Sequence, residues 1–294
     1  MATLKGQNVR LFVNRQVVGM ATTCTITLTG NTEDASTKDD VGMASKPTIT
    51  SKSWSASVES LSMVDAALLL QIIKTNTPVE LIWDETATSD NKTEQHAAYS
   101  RMGRAYLNDI SLNFNDRENS AKSLQLAGIG AITKIETWHS TAPMAGSYTK
   151  GQFVRLFVGS DNSAVPAKVI AAAKQLTFHV SVSLEDATTK DTSGDWQIQE
   201  PTGISWDIST NALVRSGEEI TSDVEAQGFA ELEEIYEAGL PVKFQIANVS
   251  GDNQRTKGAV IVSGSVVLTQ LQLNGPNRQN ADYSAQFNGY GEYV

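Results

Sequence analysis

The strongest constraint on the fold is a duplication. Residues 33–42 read EDASTKDDVG and residues 185–194 read EDATTKDTSG, identical at seven of ten positions, with Ser36 and Thr188 both hydroxyls. An acidic loop repeated alone would suggest a paired site, so its surroundings decide the matter. KGQNVRLFV at residues 5–13 recurs as KGQFVRLFV at 150–158, identical at eight of nine positions with an offset of 145. At the acidic loop the offset is 152, which a seven-residue insertion explains, and GSDNSAVPAK at 159–168 has the composition of an inserted turn. Ser53-Trp54 then matches Ser205-Trp206 at 152, and Pro78-Val79 matches Pro241-Val242 at 163. Near the two ends Arg117/Arg278, Asn119/Asn280, Ser123/Ser284, Gln125/Gln286, Gly128/Gly289 and Gly130/Gly291 stand in register at 161. Collinear matches with small drifts mean that a whole domain is duplicated. The period, roughly 150 residues, lies far beyond the ~20–50 of solenoids, so each copy is expected to be self-sufficient. The expected division is 1–132 for the first copy, a linker over 133–148 containing Pro143 and Gly146, and 149–294 for the second copy.

Within each copy the periodicity is that of strands. Val9 to Val13 and Val154 to Val158 are short runs of β-formers. Residues 24–29, 54–58, 109–114, 123–126, 175–184, 206–208, 267–273 and 283–287 alternate polar with apolar, the pattern of antiparallel sheets with one wet face. One helix per copy is expected at corresponding places. Ser62 with Asp65, and Ser222 with Glu225, have the spacing of capping boxes. Asn76 and Gly239 suit left-handed stop positions, each two residues before Pro78 or Pro241. Met63 to Ile73 is apolar nearly all round and should be well covered, whereas the second helix should be half exposed. The fold class is therefore mainly β: two tandem homologous β-sandwich or barrel domains, each with one packing α-helix.

Catalytic chemistry finds little to stand on. His96, His139 and His179 fall in a loop, the linker and a strand, and none recurs in the other copy. A zinc or histidine-dependent site needs several ligands at defined spacing. The one cysteine, Cys24, allows neither an internal disulfide nor a multi-cysteine site, and it reads as a small residue on a strand. There is no glycine-rich phosphate loop and no G-x-S-x-G elbow. The chain is expected to be no enzyme and to need no cofactor or metal.

As calcium sites the acidic loops fit poorly. Glu33, Asp34, Asp39 and Asp40 could offer oxygens, but the spacing is not that of an EF-hand and Lys38 sits among them. The favoured reading is a solvated hairpin loop that pins itself by side-chain to backbone bonds, with Asp39 and Asp191 forming turns. A run from Glu218 to Glu237 includes Glu218, Glu219, Asp223, Glu231, Glu233, Glu234 and Glu237, and contains no base. It reads as a solvated face, or as an acidic wall. Trp54 and Trp206 open alternating strands and should be core anchors.

The formal net charge is −10, divided as −2 over residues 1–145 and −8 over 146–294. That balance argues against a protein that grips nucleic acid, which uses clustered Lys and Arg. No apolar run reaches the ~20 residues that span a bilayer, and no stretch of signal-peptide length opens the chain, so no membrane partner and synthesis in a cytoplasm are expected.

The order of these parts resembles the major tail tube proteins of long-tailed bacteriophages. The parts are a Lys-Gly-x-x-Val-x-Leu-Phe-Val strand, an acidic Thr-Lys-Asp loop, a Trp-opened strand, one helix and a terminal Gly-x-Gly strand. The resemblance covers both halves, and the duplication departs from the usual single-domain member. It implies a virion protein made in the host cytoplasm, whose inner sheets join neighbours into rings stacked as a tube. Double-stranded DNA would pass the lumen without specific binding, and other tail proteins would be partners. With two similar domains per chain, three chains rather than six would complete a pseudo-sixfold ring. Glu33, Asp34, Thr37, Lys38 and Asp39, with Glu185, Asp186, Thr189, Lys190 and Asp191, become candidates for contacts between rings or between subunits. The acidic run becomes a candidate acidic surface or lumen. The main alternative from another class is a carbohydrate- or cell-surface-binding module of two β-sandwiches, which should show an exposed aromatic platform.

Overall fold

A computed structural model describes residues 5–42, 44–61, 63, 65–86, 94–95, 99–135, 137–140, 149–162, 165–192, 194–214, 226–250 and 256–294. The first half runs β1 (Val9–Val13), β2 (Gln16–Val17), β3 (Ala21–Asp34), β4 (Pro47–Ser60), α1 (Ala66–Lys74), β5 (Val79–Glu85), β6 (Arg101–Asn115) and β7 (Ala121–Lys134). The second half follows the same order: β8 (Val154–Val158), β9 (Lys168–Ile170), β10 (Ala173–Asp186), β11 (Gln199–Leu213), a short β12 (Ala226–Gln227), α2 (Phe229–Ala238), β13 (Val242–Ser250), β14 (Thr256–Asn274) and β15 (Asp282–Tyr290). The protein is mainly β, and its strands form one open sheet that passes from one half into the other.

The turns follow the sequence register. Asn14 and Arg15 both have positive φ in the two-residue turn between β1 and β2, while the counterpart between β8 and β9 carries the insertion. The turns after β6 and β14 each place an arginine, Arg117 and Arg278, at φ 61°.

The helices stop as the sequence predicts and start differently. Asn76 (φ 49°) and Gly239 (φ 61°) are both left-handed. Asp65 precedes α1 but makes no cap; its carboxylate pairs with Lys122 instead. Helix α2 begins at Phe229, past the expected box, where Glu231 accepts the Gly228 N–H at 2.9 Å. Ser62, Ser222 and Glu225 lie outside the described residues. Counted back from Asn76 and Gly239, Asp65 corresponds to Gly228, so the two serines are not equivalent positions. Helix α1 buries Ala66, Leu69, Leu70 and Ile73, yet Leu68 is 48% exposed, so its coverage is less complete than the composition suggests. Helix α2 buries Leu232 and Ile235 and leaves Tyr236 exposed.

One apolar core runs through both halves, between the apolar side of the sheet and the helices. Trp54 and Trp206 anchor it, 3% and 7% exposed, and each indole N–H donates to the carbonyl of a glycine, Gly130 or Gly291, at 2.9 Å. The start of the expected linker packs on the first half. Trp138 meets Phe12 edge-on with ring centroids 4.6 Å apart, and its Nε1 donates to buried Asp84 at 2.7 Å. The rest of that stretch, 141–148, lies outside the described residues.

Candidate assembly interface

Where the halves meet, β6 pairs antiparallel with β10, from Asn115 opposite Gln175 to Asp109 opposite Ser181. Period-two alternation puts Leu112, Ile110, Phe178 and Val180 into the core on one side of this seam. On the other side the seam is polar. The His179 imidazole lies between two carboxylates, Nε2 at 2.8 Å from Asp109 Oδ2 and Nδ1 at 2.9 Å from Asp207 Oδ1. Burial works against the charged imidazolium, but the hydrogen bonds and charges of Asp109 and Asp207 outweigh it and raise the pKa above the ordinary histidine value. Thr177 Oγ1 donates to Asn113 Oδ1 at 2.9 Å in the same row.

A second contact crosses the halves beside this seam. The loop over 187–198, which joins β10 to β11, lies against the outer edge of β4. Lys52 N–H donates to Asp195 O at 2.6 Å, Gln197 N–H to Lys52 O at 2.9 Å, and Gly130 N–H to Gln197 O at 2.9 Å. Lys52 Nζ also pairs with the Asp195 carboxylate at 3.0 Å, and Trp196 packs against the core. Further along, Gly151 N–H donates to Glu118 O at 2.8 Å, and a Cβ on Gly151 would stand 2.2 Å from Asn115 O.

The register of the duplication supplies a counterpart for each partner. At an offset of 152, Thr23 to Thr29 of β3 stand where Gln175 to Ser181 of β10 do; at 161, Gln270 to Asn274 of β14 stand where Asp109 to Asn113 of β6 do. Among the described residues, β3 pairs only with β4, and β14 pairs with β13 no further than Val266. Both counterparts of the seam are therefore open edges. Their apolar residues are uncovered to match: Leu28 is 61% exposed where Val180 is fully buried, and Leu273 is 54% exposed where Leu112 is fully buried. A Cβ on Gly6, the counterpart of Gly151, would meet no described atom within 4 Å, and Gly6 has no positive φ.

The predicted loop residues fall at the tips of the two long hairpins. Glu33 and Asp34 end β3, and Glu185 and Asp186 end β10. Asp34 accepts the Ser36 N–H and Asp186 the Thr188 N–H, both at 2.9 Å. The bonds from Ser36 and Thr188 hold both carboxyls below the ordinary aspartate value. The Ser36 and Thr188 hydroxyls then accept the N–H groups of Lys46 and Ile198 across the loop, at 3.0 and 2.9 Å. Lys38 and Asp39 occupy the centre of a turn closed by Asp40 N–H to Thr37 O, and Lys190 and Asp191 the centre of one closed by Thr192 N–H to Thr189 O. Both loops thus pin themselves as the sequence suggests. Among the described residues no group of three or more His, Cys, Asp or Glu is gathered as a metal site.

Of the acidic run, Glu233, Glu234 and Glu237 are exposed on α2. The helix packs on the apolar side of the sheet, Phe229 against Tyr283 with ring centroids 5.9 Å apart, so these acids lie on the side away from the polar row of the seam. Glu231 is taken up by the helix start, and Glu218, Glu219 and Asp223 lie outside the described residues. What sequence reasoning missed is the seam itself. Its traces are Trp196, an aromatic with Ala44 as counterpart, and the unequal polarity of His179 and Thr27.

No curated protein matches the chain by sequence. Solved structures that resemble it include the tail of an empty gene transfer agent particle refined with C6 symmetry (TM-score 0.35, 18% identity, 48% of this chain and 92% of that one). The virion of a native gene transfer agent particle is another (0.33, 15%, 49% and 96%), and the SPP1 tail tube a third (0.32, 14%, 48% and 75%). The sequence profile of the phage tail tube proteins matches residues 149–294, the range expected for the second copy. Through these residues the chain belongs to the phage tail tube protein family.

Proposed function

We propose that this structural tail protein closes into a ring of three chains, that its two copies alternate around the ring, and that rings stack head-to-tail into a tube within the virion. The division into copies at 1–132 and 149–294 is part of the same proposal. One observation supports it above the others: the β6–β10 seam is made once inside the chain, and both strands that would make it again, β3 and β14, are open. An open antiparallel edge with uncovered leucines is a liability unless a partner pairs with it. Joined in the internal register, Thr25, Thr27 and Thr29 of one chain face Asn274, Gln272 and Gln270 of the next, while Ile26 and Leu28 meet Leu273 and Leu271. Gly6 fits this reading, since the next chain would approach it as Asn115 approaches Gly151.

Such an interface joins unlike surfaces, so it gives a closed ring or an open filament according to its rotation. The resemblance to ring-forming tail tubes and the two copies per chain favour three chains. The polar face of the joined sheet would line the lumen. It carries hydroxyls and amides, such as Thr27, Ser55, Ser123, Gln125, Ser209 and Gln286, together with Asp109 and Asp207. Double-stranded DNA could pass such a wall with little adhesion, because attachment would need clustered cations. Other tail proteins would meet the ends of the tube.

Negative-stain electron microscopy of the concentrated protein, with mass photometry of the same sample, tests the reading. Rings or hollow tubes with a three-chain mass unit are expected. Six-chain rings would overturn the stoichiometry, and a protein that stays monomeric with its tail partners present would overturn the assembly itself.

A further inference from the structure

The two self-pinned loops have the same internal bonds but different surroundings. The second, 187–198, is docked on the first copy at Lys52 and Gly130. The first, over 35–46, has no such support among the described residues: Ala44 and Ser45 are exposed, and Val41 near its tip is fully exposed. Its receiving surface nevertheless exists in the second copy. Ile204 is the counterpart of Lys52, and Gly291 that of Gly130. Among the described residues strand β11 pairs with β15 only from Asp207 onward, which leaves the edge at Ile204 open on the side away from β10. Ile204 is 37% exposed and Tyr290 beside Gly291 is 55% exposed, whereas Lys52 and Gly130 are half-buried.

We infer that the 35–46 loop of each chain is a lateral clamp, docking on the second copy of the next chain through the backbone of Ala44 and Ser45 at Ile204 and Gly291. This rests on the proposed edge pairing of β3 with β14, and it assigns the loop to contacts within a ring rather than between rings. The bonds carry over from the internal contact. Ser45 N–H donates to Ile204 O, as Gln197 N–H does to Lys52 O, and Gly291 N–H donates to Ser45 O, as Gly130 N–H does to Gln197 O. The side chains do not carry over. Where the internal clamp has Trp196 and the Lys52–Asp195 pair, the external one has Ala44 and the apolar Ile204. The external clamp therefore lacks both the tryptophan and the ion pair, and it forms only once the sheet edges have met. The internal one is fastened permanently.

Paired cysteines in the full-length chain, on a Cys24→Ser background, test the inference. Ala44→Cys with Ile204→Cys reports the clamp, and Thr27→Cys with Gln272→Cys reports the sheet seam; cysteines join only when their Cα atoms lie within about 7 Å. All four sites are outside the core, and each single variant assembled alone shows that folding is intact. Oxidised single rings are expected to give disulfide-linked ladders ending at three chains with either pair. Rings whose seam pair links while the clamp pair stays reduced would overturn the clamp and leave the ring reading standing. The clamp is equally overturned if its pair links only after rings have stacked. Rings in which neither pair links would overturn the edge pairing and the clamp together, and a parent that never assembles would remove the reading on which both rest.

Discussion

The Trp54 indole N–H donates to the Gly130 carbonyl at 2.9 Å, and across the duplication Trp206 does the same to Gly291, also at 2.9 Å. These pairs explain the repeated Gly-x-Gly. The second glycine is left-handed, at φ 64° in Gly130 and 76° in Gly291, which turns its carbonyl toward the indole. The first makes room for the ring: a Cβ on Gly128 or Gly289 would stand 2.2 Å from Trp54 or Trp206. Gly128→Ala and Gly289→Ala should each destabilise the fold by about 1–3 kcal/mol, the cost of overpacking a filled core. Urea unfolding of each variant measures this, and wild-type midpoints would show that the indole rings have somewhere else to go.

Much of the fold was legible because period-two alternation and collinear repeats survive without a partner chain. The acidic loops were legible as self-pinned turns, since Asp34–Ser36 and Asp186–Thr188 are local bonds. The start of α2 was not: a glycine N-cap answered by Glu231 leaves no hydroxyl to find. Nor was the seam, because the repeat makes β3 and β10 look alike, and the differences that set β10 apart, Trp196 against Ala44 and His179 against Thr27, do not name β6 as its partner.

Asp65 and Lys122 form an ion pair in the first half with Lys122 fully buried, and burial pushes the Lys122 pKa down against the pull of Asp65. The second half has Gly228 and Tyr283 in these places. Asp65→Ala should therefore destabilise by about 3–5 kcal/mol, because it strands a buried cation. Asp65→Ala with Lys122→Met should recover most of that loss. Thermal unfolding of the three proteins decides it; a double variant no better than Asp65→Ala would mean that the pair itself, not the orphaned charge, carries the stability.

His179 makes the internal seam pH-sensitive. Against the penalty of burial, Asp109 and Asp207 raise its folded pKa above the unfolded value of 6.5. The imidazolium therefore contributes stability that is fully present below pH 6.5 and is lost as pH climbs through the folded value. His179→Gln should lower stability in acid and flatten the dependence above it. The external counterparts, Thr27, Ser55 and Gln270, carry no titrating group, so wild-type rings should hold together over the same range. Unfolding curves at about pH 6 and about pH 9, with ring mass measured in parallel, separate the two; equal slopes for wild type and variant would remove His179 as the source.

Gly6 and Gly151 separate folding from assembly. They occupy the same place in the repeat, after Lys5 and Lys150. A side chain on Gly151 would meet the Asn115 backbone at 2.2 Å inside the chain, so Gly151→Val should disturb the contact between the halves and lower stability. A side chain on Gly6 meets nothing described inside the chain, and its backbone is one that any residue adopts. Gly6→Val should therefore unfold like wild type. In an assembled ring, the same valine would run into the turn after β14 of the neighbour, where Pro276 is the counterpart of Asn115. The expected outcome is a folded chain that no longer forms rings, seen as wild-type circular dichroism and melting with a single-chain mass by photometry. If Gly6→Val forms rings at the wild-type concentration, the neighbour does not approach along the internal register. A Gly6→Val chain that instead loses stability would show that residue 6 is already packed within its own chain.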